Sequence, residues 1–96
     1  MRPTEALNQH REAIRDIVQR HRMSRVRVFG SVLHGTDTEG SDLDLLVDPE
    51  PGASLMDIAR IELELAALLN VTVDVLTPKA LPESFRQQVI AEAQPV

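Results

Sequence analysis

Val26-Arg27-Val28-Phe29-Gly30-Ser31-Val32-Leu33-His34-Gly35, followed after a polar stretch by Ser41-Asp42-Leu43-Asp44-Leu45-Leu46-Val47, is the segment on which the fold turns. Its first four residues are rich in β-formers and stop at Gly30-Ser31, and Val32 to Gly35 has room for one helical turn at most. Thr36 to Ser41 is polar, contains Gly40 and reads as a loop. Asp42 to Val47 alternates in part and runs into the turn Pro49-Glu50-Pro51-Gly52, so it reads as a strand.

Upstream, Leu7, Ile14, Ile17 and Val18 recur at helical spacing among charged residues, which predicts one helix over 4–22. Downstream, Ser54 reads as an N-cap with Asp57 three residues on. Ile58, Ile61, Leu65 and Leu68 then keep helical period as far as Asn70, a permissive helix end. Val71 to Leu76 is a further strand, stopped by Thr77-Pro78, and Pro82 opens a last helix through Phe85, Val89 and Ile90. Strands that alternate with helices predict the α/β (α+β) class: a small mixed sheet flanked by helices. Ninety-six residues suffice for a single domain, expected to span 1–96, because chains rarely divide into two cores below about 200 residues.

Composition narrows the function classes. The chain is 43% hydrophobic and 26% charged, ordinary for a globular fold and too apolar for a disordered one. Cysteine is absent, which removes disulfide scaffolds, thiolate metal sites and cysteine nucleophiles and makes the cytoplasm the expected location. No apolar run approaches the roughly 20 residues that span a bilayer, and no apolar core follows the charged N-terminus, so neither membrane nor signal peptide is expected. Phe29 and Phe85 are the only aromatics, too few for a platform that stacks bases. The net charge of −5 is unevenly spread: residues 1–27 carry +4 and residues 28–96 carry −9. That split fits an anionic ligand or partner near the first segment and a cation in the rest, or simply two solvated faces. His10 and His21 lie three turns apart, too far for one metal ion, and read as surface or partner-facing residues.

Chemistry concentrates on three carboxylates. Asp42 and Asp44, two apart on a strand, point to one face about 6.5 Å apart, while Leu43, Leu45 and Val47 take the other. Asp74 shares its face with Thr72 and Leu76, so it joins the pair if the two strands are neighbours. Like charges at 4 Å repel by roughly 4 kcal/mol at an effective dielectric of 20, so protons, arginines or metal ions must offset the cluster. Magnesium, which takes a few carboxylates plus phosphate oxygens, suits the set, and three carboxylates can hold two such ions. Gly30-Ser31 sits where a strand gives way to a helical turn, leaving backbone N–H groups and a hydroxyl free to cradle a phosphate. Gly-Ser followed at this spacing by Asp-x-Asp arises by chance in roughly one chain of this length in a thousand.

The stretch from Phe29 to Gly35 and from Ser41 to Val47 resembles the signature of the polymerase-β-like nucleotidyltransferases, and the size matches their minimal nucleotidyltransferase (MNT) domain proteins. The similarity runs over nearly the whole chain. It implies a minimal nucleotidyltransferase fold and a metal-dependent transfer of a nucleoside monophosphate, usually AMP from ATP, to a hydroxyl. By position, Gly30 and Ser31 would hold the triphosphate; Asp42 and Asp44 would bind two Mg2+ ions; Asp74 would complete the site for the ion that activates the acceptor hydroxyl and would take its proton. His34 stands where many relatives have arginine and would face the nucleotide with a charge that is only partial near neutrality. Many MNT proteins are antitoxins paired with a HEPN-domain ribonuclease toxin, and some adenylylate a tyrosine of it.

Once the sheet and four helices are counted, little surface is left to grip a small acceptor, and the acidic bulk would repel nucleic acid. The acceptor is therefore expected to be a protein that brings its own surface, in a hetero-oligomer of antitoxin and toxin. Two other readings compete: a module of the same fold that neutralises its partner by binding alone, and a small-molecule nucleotidyltransferase working with another subunit.

Overall fold

The computed structural model describes residues 1–96. Helices α1 (Pro3–Gln9) and α2 (Arg11–Arg20) lead into strand β1 (Met23–Phe29), helix α3 (Gly30–His34) and strand β2 (Leu43–Pro49). Helix α4 (Leu55–Leu69), strand β3 (Val73–Leu76), a 3-10 turn at Pro78–Ala80, helix α5 (Arg86–Glu92) and strand β4 (Gln94–Pro95) complete the chain. The strands form one mixed sheet in the order β3-β2-β1-β4; β2 and β3 run parallel and the other two pairs antiparallel. This is the small mixed sheet with flanking helices that the alternation of elements predicts.

Period-two patterning explains both faces of the sheet. Leu43, Leu45 and Val47 join Val28 of β1 and Val73 and Val75 of β3 on one face, where they meet Ile14, Ile17 and Val18 of α2 and Ile61, Leu65 and Leu69 of α4. Each fully buried aliphatic side chain contributes about 1.5–3 kcal/mol, so Leu65 and Ile61, both 0% exposed, are principal ties between α4 and the sheet. The opposite face is smaller. Phe29, Leu46 and Leu81 are buried there beneath Leu33 of α3 and Val89 of α5, which is why Leu45, Leu46 and Val47 form a continuous apolar run. A bulge between Ser24 and Arg27, with Arg25 at φ 50°, lets Met23 and Val26 both face the core although they are three residues apart.

Several boundaries differ from the expectation. The helix predicted over 4–22 is two helices, because His10 leaves helical geometry (φ −131°, ψ 26°) and starts α2 afresh by accepting from Ile14 N at 2.9 Å. Asn8 reinforces the break by taking Arg11 Nη2 at 3.0 Å, and the bend lets α1 touch both α2 and α4. Strand β3 starts at Val73 rather than Val71, and α5 at Arg86 rather than Pro82, with Pro82 to Phe85 forming a turn. Strand β4 has no counterpart in the expectation; two residues carry too little pattern to be read. Ser54 and Asn70 bound α4 as predicted: Ser54 N donates to Asp57 Oδ2 at 2.9 Å, and Asn70 turns left-handed at φ 55°.

Part of the uneven charge is paired within the molecule. Arg25 and Arg27 both pair with Asp48, at 3.4 and 3.0 Å, and Arg20 reaches Glu64 at 3.5 Å. His21, expected at the surface, is half-buried against α4, with Nε2 2.8 Å from Glu64 Oε1. No helix is long and apolar enough to cross a membrane.

Candidate active site

The parallel register of β2 and β3 sets Asp44 directly beside Asp74. Neighbouring strands lie about 4.8 Å apart and paired residues share a face, so the two carboxylates project from the same side of the sheet. Asp42 stands one residue before β2 and is exposed, as is Asp74, whereas Asp44 is half-buried. Burial pushes the Asp44 carboxyl up from 3.8 to about 6, and the negative charges of Asp74 and then Asp42 push it the same way. The three aspartates singled out by spacing thus form one electrostatic unit.

Gly30 closes the site from β1. Phe29 is the register partner of Asp44, and the chain turns immediately after it into α3, with Gly30 at φ 72°. A Cβ added there would collide with Asp44 Oδ2 and lie 3.2 Å from its Cγ, so only glycine lets the backbone pass the carboxylate. Helix α3 begins with no side-chain cap, which leaves its first N–H groups, next to the Ser31 hydroxyl, free for an acceptor. It ends at Gly35, left-handed at φ 71°.

His34, expected at the nucleotide, sits at the other end of α3. It is exposed, and its Nε2 lies 3.1 Å from Glu92 Oε2 on α5. The loop that carries the chain from α3 to the aspartates is anchored by a residue the sequence reading did not single out. Asp37, 4% exposed just beneath the surface, accepts from Thr4 N at 2.9 Å and from Thr4 Oγ1 at 2.6 Å. One carboxylate therefore caps the start of α1 and ties it to the loop between Gly35 and Asp42. Asp37 stands 33 positions from Thr4, and no local pattern signals such a cap.

No group of three His, Asp or Glu side chains closes into a finished metal cage. The donor set nevertheless fits a hard divalent ion. It offers hard oxygen ligands only, and the charged form of Asp44, disfavoured by burial and then by Asp74 and Asp42, is one that a cation would stabilise. Magnesium completes its shell with water and phosphate oxygens, so a few converging carboxylates are sufficient.

Comparison with known proteins identifies the family and the fold. The family described as "Nucleotidyltransferase domain" matches residues 7–96. The protein adenylyltransferase MntA of Thermococcus cleftensis is 34% identical over 86 residues, 90% of this chain and 84% of its own length. A solved structure described as a minimal nucleotidyltransferase superposes with a TM-score of 0.86 at 47% identity, covering 97% of this chain and 95% of the other. A toxin–antitoxin crystal structure with AMP-PNP superposes with a TM-score of 0.70 over 97% of this chain and 71% of that one; at 18% identity the likeness is one of fold.

Proposed function

The chain belongs to the nucleotidyltransferase domain family, and from that membership we propose that it transfers AMP from ATP to a tyrosine hydroxyl of a partner HEPN-domain ribonuclease toxin, silencing it as a cytoplasmic antitoxin. One nucleotidyltransferase domain over 1–96 carries the reaction. The observation that bears most weight is the register of Asp44 beside Asp74 under the passing backbone of Gly30. Support for the protein acceptor and the nucleotide comes from relatives: an adenylyltransferase at 34% identity, and a toxin–antitoxin neighbour of the same fold solved with AMP-PNP.

In this reading Asp42 and Asp44 hold two Mg2+ ions, and Asp74 completes the set for one of them. The ions supply charge neutralisation at the phosphates and lower the pKa of the acceptor hydroxyl. Gly30 and Ser31 bind the triphosphate through backbone N–H groups and the serine hydroxyl, while His34, expected at the nucleotide, faces Glu92 at the far end of α3. Asp74 accepts the proton of the acceptor hydroxyl, whose oxygen bonds to the α-phosphorus. The bond from that phosphorus to the bridging oxygen breaks, and pyrophosphate leaves.

The test is to incubate the protein with ATP, MgCl2 and the toxin encoded beside it, then read intact mass. Gain of one AMP on the toxin is expected, and none with the Asp42→Asn, Asp44→Asn double variant. Labelling by that variant at the wild-type rate would overturn the mechanism. Full neutralisation by it without labelling would make the protein a stoichiometric binding module instead.

A further inference from the structure

Six residues, Thr36 to Ser41, carry the chain from Gly35 at the end of α3 to Asp42, and none of them is apolar. Asp37 is the only one that is buried; Ser41 is half-buried and the other four are exposed. A polar loop with no hydrophobic side chain to pin it opens easily. This one nevertheless separates the Ser31 hydroxyl from the Asp42 carboxylate, two groups that must stand in a fixed relation if both meet one substrate.

Hydrogen bonds tie each end of the loop to its neighbour in the chain. At the first end Thr36 N donates to Ser31 O at 3.0 Å, and the Thr36 hydroxyl reaches the same oxygen at 3.4 Å. At the second, Thr38 N donates to Ser41 Oγ at 2.9 Å and Ser41 N returns a bond to Thr38 O at 3.0 Å. Ser41 directly precedes Asp42, which stands outside β2. These bonds shape the loop locally, but they do not set where it lies against the rest of the fold.

Asp37, between the two turns, does that. Its Oδ2 accepts from Thr4 N at 2.9 Å and its Oδ1 from Thr4 Oγ1 at 2.6 Å, so both carboxylate oxygens are engaged and the group can neither swing nor rotate. Thr4 is a firm anchor because its neighbours on α1, Pro3, Ala6 and Leu7, are buried in the core. The loop's other long-range tie joins Glu39 to the Met1 amine at 3.5 Å; it is exposed and contributes little.

We propose that Asp37, acting through Thr4, is a positioning residue of the transfer site: by fixing the loop to α1 it holds Ser31 and Asp42 in register for the nucleotide and its metal. Asp37 itself touches neither. This rests on the reading of Ser31 as a phosphate ligand and Asp42 as a metal ligand, and adds to it the contact that sets their separation.

The experiment measures binding of α,β-methylene-ATP with Mg2+ by titration calorimetry, and AMP transfer to the toxin, at a temperature where circular dichroism shows each variant folded. The analogue cannot be cleaved at the bond the reaction breaks, so its affinity reads the site without turnover. Asp37→Ala and Thr4→Val should each weaken its binding about 10-fold and slow transfer by 10-fold or more, since displacements near 1 Å are enough to do so. Thr4→Ser, which keeps the hydroxyl, should stay within about twofold of wild type. The Asp37→Ala, Thr4→Val double variant should lose no more than Asp37→Ala alone, because both remove one contact. Wild-type affinity and rate in the folded single variants would overturn the positioning role and leave the reaction intact. Losses that add in the double variant, or a Thr4→Ser as impaired as Thr4→Val, would overturn it as well. Weakened analogue binding in variants of a wild type that never labels the toxin would retain the positioning role and sink the adenylyltransferase reading. A wild type that binds no analogue would overturn both.

Discussion

Gly30 and Asp44 compete for one volume: a side chain on the first would displace the carboxylate of the second. The turn from β1 into α3 and the central acid of the site are therefore built as a single contact. Gly30→Ala should lose at least 100-fold in AMP transfer and about 1–3 kcal/mol in stability, because a left-handed φ and a direct collision are imposed together. Transfer assays and urea unfolding of the one variant check both effects.

Asp44 predicts an inverted pH dependence in the metal-free protein. Its folded value, about 6, exceeds the ordinary 3.8, so the native state holds a proton that the unfolded chain has released. Stability associated with this group is full below 3.8 and is lost as pH rises through 6. Because the side chain is only half-buried, solvent screening reduces the effect at pH 7 to about 1 kcal/mol. Asp44→Asn should remove that slope and melt slightly higher than wild type. Added Mg2+ should raise the wild-type midpoint at pH 7 and leave the variant nearly unmoved.

The Asp48 cluster predicts an asymmetric pair of substitutions. Arg27 is 9% exposed, bonded to Asp48 Oδ1 at 3.0 Å and Oδ2 at 3.3 Å, and its Nε already has no acceptor. Asp48→Ala strands this buried guanidinium and should cost about 3 kcal/mol. Arg27→Met leaves Asp48 paired with Arg25 and should cost about 1 kcal/mol or less. Chemical denaturation of the two variants orders them.

Asp37 predicts a link between α1 and the site loop. The Thr4 hydroxyl bond above all, helped by the Thr4 backbone N–H, holds its carboxyl below 3.8 against the opposing pull of burial. Its stabilisation is therefore present above that value and lost as pH falls through the still lower folded value. Asp37→Ala should cost about 2 kcal/mol by leaving two donors unpaired. Hydrogen exchange should quicken in both α1 and residues 36–41.

His34 separates two roles. Arginine at this position, with a permanent charge and a bidentate fork, should tighten ATP binding several-fold if the side chain serves the triphosphate. Unchanged ATP affinity in His34→Arg, together with a lower melting temperature in Glu92→Gln, would assign His34 to its contact with α5 instead.

Period and spacing in the chain were enough to find α4 with both its ends, the strand through Leu43 to Val47, and the family signature of Gly30, Ser31, Asp42 and Asp44. These features depend on residues a few positions apart, where backbone preference and side-chain alternation act directly. The break at His10 was hidden because helical period continues across it, so Leu7 and Ile14 remain in phase.

The sequence by itself determined the elements, the kind of chemistry and the candidate carboxylates. Only the tertiary structure decided that β3 lies parallel beside β2, bringing Asp74 to Asp44, that Asp37 reaches Thr4, and that His34 meets Glu92. Each of those is a pairing between segments far apart along the chain. Which strands become neighbours and in what register is set by the packing of whole faces against α2 and α4, against the entropy of closing the loops between them, and no short window of residues encodes that balance.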